Sequence, residues 1–215
     1  MLNDNDTMVA NLGECRVDSP LPIRRFIDEG ERVIVDVEYG RVKASFRERG
    51  AAPSFENAGP RRKIFFEPSD AKAAIVTCGG LCPGLNNVIR ALVMELYYQY
   101  GVRTIYGVPY GYEGLIPSYG HGFVKLSPDA VDEIHAKGGT MLGSSRGNQS
   151  VSGMVDTLEK NGISMLFAIG GDGTLRGARD LCDEIARRGL KIAVVGVPKT
   201  IDNDISFVDR TFGFE

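Results

Sequence analysis

Short apolar runs alternate with amphipathic stretches from Ala73 to the end of the chain. The apolar runs have the length of buried strands and cover residues 73–77, 102–108, 164–169 and a stretch that begins at Lys191. Between them, apolar residues recur at helical spacing, which predicts helices over 85–100, 128–136, 151–160 and 175–189. Strands that alternate with helices are typical of βαβ units. The pattern therefore predicts an α/β domain with a mainly parallel sheet.

The first 72 residues follow a different pattern. Residues 33–37 are the clearest strand candidate, and residues 41–46 alternate in polarity, so the two segments are expected to pair as a hairpin. The basic clusters at 24–25 and 61–63 are interpreted as solvated surface. We therefore expect a partly ordered N-terminal extension over 1–72 and a separate domain over 73–215.

Composition excludes several classes of protein. The 215 residues are 43% hydrophobic and carry a net charge of −3, which is ordinary for a globular protein and gives no general attraction to nucleic acid or anionic membrane. No apolar run approaches the roughly 20 residues that a membrane span needs. The first six residues lack the regions of a secretory signal, and the four cysteines lack zinc-site spacing. A cytoplasmic protein with reduced thiols is expected.

A glycine loop follows the first strand of the predicted sheet. Gly79 and Gly80 stand between that strand and the next helix. Glycines let a backbone turn sharply and approach a bulky anion, and the helix that follows offers free N–H groups. The spacing fits neither the lysine-bearing P-loop nor G-x-G-x-x-G. Two interpretations stay open for this loop alone: a phosphate cradle, or tight packing of helix on sheet.

A second glycine loop, with Gly171, Asp172, Gly173 and Thr174, follows the strand at 164–169. Asp172 could act as a helix N-cap. A carboxylate beside a phosphate-binding loop would repel its ligand, unless Mg²⁺ lies between them. Taken together with the first loop, the pattern favours Asp172 as a magnesium residue.

The last apolar run ends in a loop of unusual chemistry. Residues 199–204 of this loop include Lys199, Thr200, Asp202 and Asp204. Asp202 is a candidate general base for a hydroxyl group, and Thr200 could bond a phosphoryl oxygen. Asp204 could hold Mg²⁺ or orient its neighbours, and Lys199 could neutralise phosphate charge. A solvated acidic turn is the simpler alternative.

Between the glycine loops, Arg146 stands in a turn rich in Gly and Ser. It could reach bound phosphates, or it could be an ordinary surface arginine. Phosphoryl transfer needs positioning and charge stabilisation more than covalent chemistry. Glycine cradles, a metal carboxylate, a base and cations together favour a kinase.

These residues together resemble the phosphofructokinase family. The matching segments are TCGGLCPGLNNVIR, GGTMLGSSRG, IGGDGT and VGVPKTIDNDI, and the PKTIDND and CGGLCPG segments resemble the plant and protist branch. The resemblance implies a three-layer α/β/α domain that transfers phosphate from a donor to fructose 6-phosphate. By this resemblance, Gly80 and Arg146 contact nucleotide, and Asp172 belongs to the magnesium site. Gly173 and Thr174 line the donor site.

The resemblance also assigns Asp202 as the base for the sugar 1-hydroxyl, with Thr200 and Asp204 beside it. In the family, glycine at the position of Gly173 goes with ATP, whereas aspartate there goes with pyrophosphate. ATP is therefore the expected donor, although Lys199 also occurs in pyrophosphate enzymes. Dimers or tetramers are the family's usual assemblies.

The family's sugar-phosphate arginines have no counterpart in these 215 residues. The chain is therefore expected to be the donor half of a longer enzyme, inactive and prone to aggregate when alone. Two other interpretations stay open. One is a kinase for NAD or a lipid, which would use the GGDGT loop without Asp202. The other is a non-catalytic nucleotide-binding subunit.

Overall fold

The computed structural model describes residues 7–214. Residues 1–6, from which the absence of a secretory signal was predicted, lie outside this range, as does Glu215. The chain divides into two compact units, Met1–Phe65 and Phe66–Glu215. Each unit has its own strands, so the two are described separately.

Within residues 7–65, the first unit contains four short strands and one α-helix. Strand β1 (Val17–Asp18) pairs antiparallel with β4 (Lys63–Ile64). Strand β2 (Arg32–Ile34) pairs antiparallel with β3 (Ser54–Glu56), with Val33 opposite Phe55. Helix α1 (Tyr39–Arg49) lies between β2 and β3 in sequence. This unit is thus built from two small ribbons and a connecting helix.

The predicted hairpin between residues 33–37 and 41–46 is wrong. The second segment belongs to α1, which ends at Gly50 in the left-handed conformation (φ 75°), with the Gly50 N–H donating to the Phe46 carbonyl. None of the helical residues is buried. An alternating pattern indicates a strand only where one face is buried, because burial is what selects the apolar positions. On this exposed helix the alternation therefore carried no information.

The second unit is built on a five-stranded sheet. Its strands are β5 (Lys72–Thr77), β6 (Thr104–Val108), β7 (Val124–Leu126), β8 (Met165–Gly170) and β9 (Ala193–Pro198). They are arranged in the order β7-β6-β5-β8-β9. All neighbours are parallel except β7, which runs antiparallel to β6. The mainly parallel sheet is confirmed, and β7 was missed because three residues are too few to show a period.

The helices of this unit largely match the predicted segments. The α-helices are α2 (Leu85–Met94), α3 (Pro128–Val131), α4 (Val151–Lys160) and α5 (Asp172–Arg187). The helix predicted over 128–136 is thus shorter than expected, and a separate 3₁₀ helix covers Ile134–Ala136. A single π-helical stretch, Glu95–Gln99, continues α2, and Gly101 follows with φ 78°. The hydroxyls of Ser127 and Ser150 accept hydrogen bonds from the first turns of α3 and α4. No helix within residues 7–214 is long and apolar enough to cross a membrane.

Two hydrophobic cores lie on opposite faces of the sheet. On one face, Ala74 and Val76 of β5 pack with residues of α4 and α5. On the other, Ala73 and Ile75 pack with residues of α2 and α3. Because alternate residues of a strand point to opposite faces, β5 is buried on both sides. This is the three-layer α/β/α arrangement, and it brings the loops after β5, β8 and β9 to one edge of the sheet.

Candidate active site

The loop after β5 is fastened to the segment that carries Arg146. Gly79 has φ 81°, a conformation that favours glycine, and its N–H donates to the Ser145 carbonyl at 3.0 Å. In return, the Ser144 hydroxyl donates to the Gly79 carbonyl at 2.6 Å. A side chain on Gly80 would begin 3.4 Å from the Arg146 guanidinium. The predicted cradle and the predicted arginine are therefore neighbours.

The loop after β8 opens α5. Gly171 is the N-cap, and Asp172 is the first helical residue, so the N-cap alternative for Asp172 is excluded. The Asp172 side chain is 70% exposed, with Arg176 as an ion-pair partner at 3.9 Å. A Cβ on Gly173 would meet open space. The first turn of α5 therefore presents backbone N–H groups and one carboxylate to the space in front of it.

Thr174 is placed differently from its neighbours. Its side chain is buried, and a Cβ on Gly170 would lie 2.1 Å from the Thr174 hydroxyl oxygen, so this close contact requires glycine at 170. The Tyr112 hydroxyl donates to the Thr174 carbonyl at 2.8 Å. The start of α5 is thus held by packing beneath it as well as by its own hydrogen bonds.

The loop after β9 begins with a buried lysine. Lys199 is 8% exposed, and its ammonium donates to the Gly80 carbonyl at 2.5 Å. Its backbone N–H donates to the Gly170 carbonyl at 3.0 Å. Lys199 therefore connects the loop after β9 to the loop after β5 and to the last residue of β8. With one ammonium hydrogen used by Gly80, two remain for other acceptors.

The next residues form a compact acidic turn. The Thr200 hydroxyl donates to the Asp204 carboxylate at 2.7 Å and accepts from the Asp202 N–H at 3.0 Å. Asn203 has φ 52° and its amide bonds the Asp209 carbonyl and the Thr211 N–H. The Asp202 side chain is exposed and has no hydrogen-bond or ion-pair partner among residues 7–214. Its carboxylate is thus available to accept a proton.

The glycine loops enclose a cleft of about 270 Å³. All of the predicted cofactor-binding residues line it, together with Lys199: Gly79, Gly80, Arg146, Gly171, Asp172, Gly173 and Thr174. Thr200, Asp202 and Asp204 do not line it. They follow Lys199 directly in the chain. The structure thus separates a cradle from an adjacent acidic turn.

Sequence reasoning missed several residues of the cleft wall: Cys78, Tyr112, Ser145, Gly147 and Asn148. Burial raises the pKa of the Cys78 thiol to about 12, so this thiol is protonated and is no nucleophile at neutral pH. Burial also raises the pKa of the Tyr112 hydroxyl. No local pattern marks Tyr112, because its partner Thr174 is 62 residues away in the chain.

The donor set suits a magnesium ion held with phosphates. Residues 7–214 contain no group of three or more His, Cys, Asp or Glu side chains able to hold a metal by themselves. Mg²⁺ is commonly held by one or two carboxylates plus substrate phosphates, with water completing its shell. The exposed Asp172 carboxylate, on the cleft wall, fits this mode.

The sequence profile described as Phosphofructokinase matches residues 72–215. The chain belongs to the phosphofructokinase family. An ATP-dependent 6-phosphofructokinase from Borreliella burgdorferi is 50% identical over 220 residues, covering 99% of this chain and 49% of that protein. ATP-dependent 6-phosphofructokinase 2 of Arabidopsis thaliana is 52% identical over 162 residues, covering 75% of this chain and 36% of that protein. This chain thus spans about half the length of the curated relatives it matches, or less.

The phosphofructokinase fold is confirmed by solved structures. A Pichia pastoris phosphofructokinase in the T-state superposes with a TM-score of 0.61 at 26% identity, covering 76% of this chain and 19% of that one. The resemblance to the phosphofructokinase family stated from the sequence motifs is likewise confirmed, and the relatives include bacterial and plant proteins. The sheet, the glycine loops and the acidic turn all lie within the residues that the family profile matches.

Proposed function

We propose that this chain supplies the donor side of an ATP-dependent 6-phosphofructokinase, which transfers a phosphoryl group from ATP to fructose 6-phosphate. One observation carries the proposal. A single cleft collects two glycine loops, a helix N-terminus, Arg146 and Lys199, and the exposed Asp202 follows three residues after Lys199. These are the parts that phosphoryl transfer requires: a phosphate cradle, cations and a base.

In this proposal the cradle binds the ATP phosphates. The N–H groups at the start of α5 and the glycine backbone donate to phosphate oxygens. Arg146 and Lys199 neutralise phosphate charge. Asp172 would hold Mg²⁺, which supplies charge neutralisation on the phosphates when bound.

Asp202 accepts the proton of the sugar 1-hydroxyl as that oxygen attacks the terminal phosphorus of ATP. Thr200 and Asp204 hold the turn that presents Asp202, through the hydrogen bonds already described. The expectation that Thr200 bonds a phosphoryl oxygen stays a prediction, since its hydroxyl hydrogen is directed at Asp204. The other product of the step is ADP.

Gly173 supports ATP rather than pyrophosphate as donor. The space beyond its Cα is open, so an aspartate there would place a second carboxylate beside Asp172. Such a carboxylate would repel the α-phosphate of a nucleotide. A pyrophosphate donor is the alternative, because the Lys199 ammonium would neutralise phosphate charge on either ATP or pyrophosphate.

The test uses two proteins. The 215-residue chain is titrated with Mg-ATP in a calorimeter, and binding is expected. A chimera joins residues 1–215 to the part of the Borreliella burgdorferi relative that has no counterpart here, and its rate with fructose 6-phosphate is measured. We expect the chimera to transfer phosphate from ATP and the 215-residue chain alone to be inactive. Faster turnover with pyrophosphate than with Mg-ATP would overturn the choice of donor.

Three further measurements are informative. A chimera that binds Mg-ATP and phosphorylates no sugar would favour the non-catalytic nucleotide-binding alternative. Assembly into dimers or tetramers is also proposed, and sedimentation of the active chimera measures it. The cytoplasmic location stays a prediction, which fractionation of cells that express the chain would test.

A further inference from the structure

Asn86 is a buried polar side chain in the first turn of α2, only 3% exposed. Its amide nitrogen donates to the Lys137 carbonyl at 3.0 Å, and its amide oxygen accepts from the Met141 N–H at 2.8 Å. Both partners are backbone groups of one segment that lies more than 50 positions away in sequence. A buried amide with both ends bonded to one segment fixes that segment in place.

Thr77, at the end of β5, holds the same segment from the side of the sheet. Its hydroxyl donates to the Gly143 carbonyl at 2.8 Å, and it lies 2.9 Å from the Thr140 hydroxyl. Because a hydroxyl has one hydrogen, Thr140 must be the donor between the two threonines. The Thr140 oxygen in turn accepts from the Leu142 N–H at 3.2 Å. The hydrogen bonds thus run in one direction from Thr140 to Gly143.

The fixed segment leads directly to Arg146. Beyond Gly143, the bonds between Ser144, Ser145 and Gly79 continue the attachment up to the residue before Arg146. The Arg146 guanidinium then lies over Gly80, and within residues 7–214 it has no hydrogen-bond or ion-pair partner. No side-chain bond from the described part of the chain orients this arginine. Its position is therefore set by the backbone that Asn86 and Thr77 hold.

We propose that Asn86 is a positioning residue for nucleotide binding, acting through the segment 137–145 to place Arg146 over the cradle. Thr77 does the same from the sheet. The proposal rests on the proposed function, because it requires that the cleft binds the phosphates of ATP. Asn86 itself does not line the cleft. Its effect on ATP must therefore pass through Arg146.

The test is a double-mutant cycle on the 215-residue chain, with Mg-ATP affinity measured by calorimetry. N86A is expected to weaken binding about tenfold, since it removes both side-chain hydrogen bonds by which Asn86 holds the segment before Arg146. N87A is the matched control, because Asn87 is the next residue and is exposed; it should bind as the wild type does. In the R146A background, N86A should change the affinity less than about twofold.

A purely structural role for Asn86 predicts a different result, in which the effects of N86A and R146A add. Additive effects, or an N86A variant that binds Mg-ATP like the wild type, would overturn the positioning role. If N86A does not fold, T77V replaces it in the same cycle, because valine keeps the shape of threonine and removes the hydroxyl. T77V is expected to weaken binding, again without adding to R146A.

Hydrogen exchange separates this proposal from the proposed function. N86A should accelerate exchange of the Met141 amide at least about tenfold, because that N–H loses its acceptor. If the wild type binds Mg-ATP and the effects of N86A and R146A add, the positioning role of Asn86 is overturned and the proposed function is not. Absence of binding by the wild-type chain would overturn the proposed function, and with it the role assigned to Asn86.

Discussion

The Lys199 ammonium donates a hydrogen bond to the Gly80 carbonyl across 119 positions of sequence. It connects the loop after β9 to the loop after β5, while the Lys199 backbone N–H bonds the Gly170 carbonyl before α5. The residue is therefore both a structural tie and a cation on the cleft wall. These two roles can be separated by experiment.

K199M keeps the aliphatic stem and removes the ammonium. The Gly80 carbonyl is then left without its partner, so the free energy of unfolding in urea should fall by about 1–3 kcal/mol. Mg-ATP affinity should fall as well, because the cleft loses a cation. K160M is the control, since Lys160 is exposed on α4, and both quantities should stay at the wild-type values. Unchanged ATP affinity in K199M would contradict the charge role.

Substitution of the proposed base should affect the chemical step alone. In the chimera, D202N is expected to lower kcat by about 10²–10⁴-fold, as loss of a general base does. ATP affinity should stay the same, because Asp202 does not line the cleft. D209N is the control, since Asp209 is also exposed in this loop. Full activity in D202N would instead point to a kinase that uses only the GGDGT loop.

Gly173 offers a test of donor choice. G173D should weaken Mg-ATP binding at least about tenfold, because its carboxylate would lie beside Asp172 and repel the phosphates. The melting temperature should not fall, since a Cβ at 173 meets open space and acidic residues favour the first turn of a helix. G173A adds the Cβ without charge and should bind nearly as the wild type does. Equal loss of affinity in both variants would refute the electrostatic explanation.

An ion-pair network joins α4 to α5 and predicts a dependence of stability on pH. Hydrogen bonds from Arg187 and Arg188 lower the pKa of Glu184 from 4.5 to about 2. Because the folded-state pKa is depressed, the stabilisation is complete above pH 4.5 and is lost as pH falls towards 2. E184Q should flatten this part of the pH–stability curve measured by urea denaturation, whereas E133Q should keep the wild-type curve.

Arg188 carries the contact between the two helices in this network. It bonds Asp156 and Ser152 of α4 as well as Glu184 of α5. If E184Q left the acid limb of the curve unchanged, the assignment of this limb to Glu184 would be wrong.

The accuracy of the sequence-based predictions followed burial. In the second unit, β5 and β8 are buried on both faces, and their apolar runs were identified within about two residues. In the first unit, α1 buries none of its residues, and an alternating stretch was misinterpreted as a strand. Strand β7 is too short to show a period. A hydrophobic pattern predicts secondary structure only where one face of the element is buried, because burial selects which positions are apolar.

The local parts of the site could be predicted from the sequence. Glycines at 79, 80, 171 and 173 set where the backbone can approach a ligand. Asp172 follows the end of β8, and Lys199 and Asp202 follow the end of β9. That these loops meet at one edge follows from parallel pairing. Local propensity and period act over a few residues, so they can be inferred from neighbours in the chain.

Which of these groups are in contact depends on tertiary packing. The order of the strands brings Lys199 to Gly80, Tyr112 to Thr174, and Asn86 to the segment before Arg146. It also turned the Thr200 hydroxyl towards Asp204. Most of these contacts join residues more than 50 positions apart, and packing of the whole domain determines their partners. A residue pattern that extends over one turn or one strand has no means of specifying such contacts.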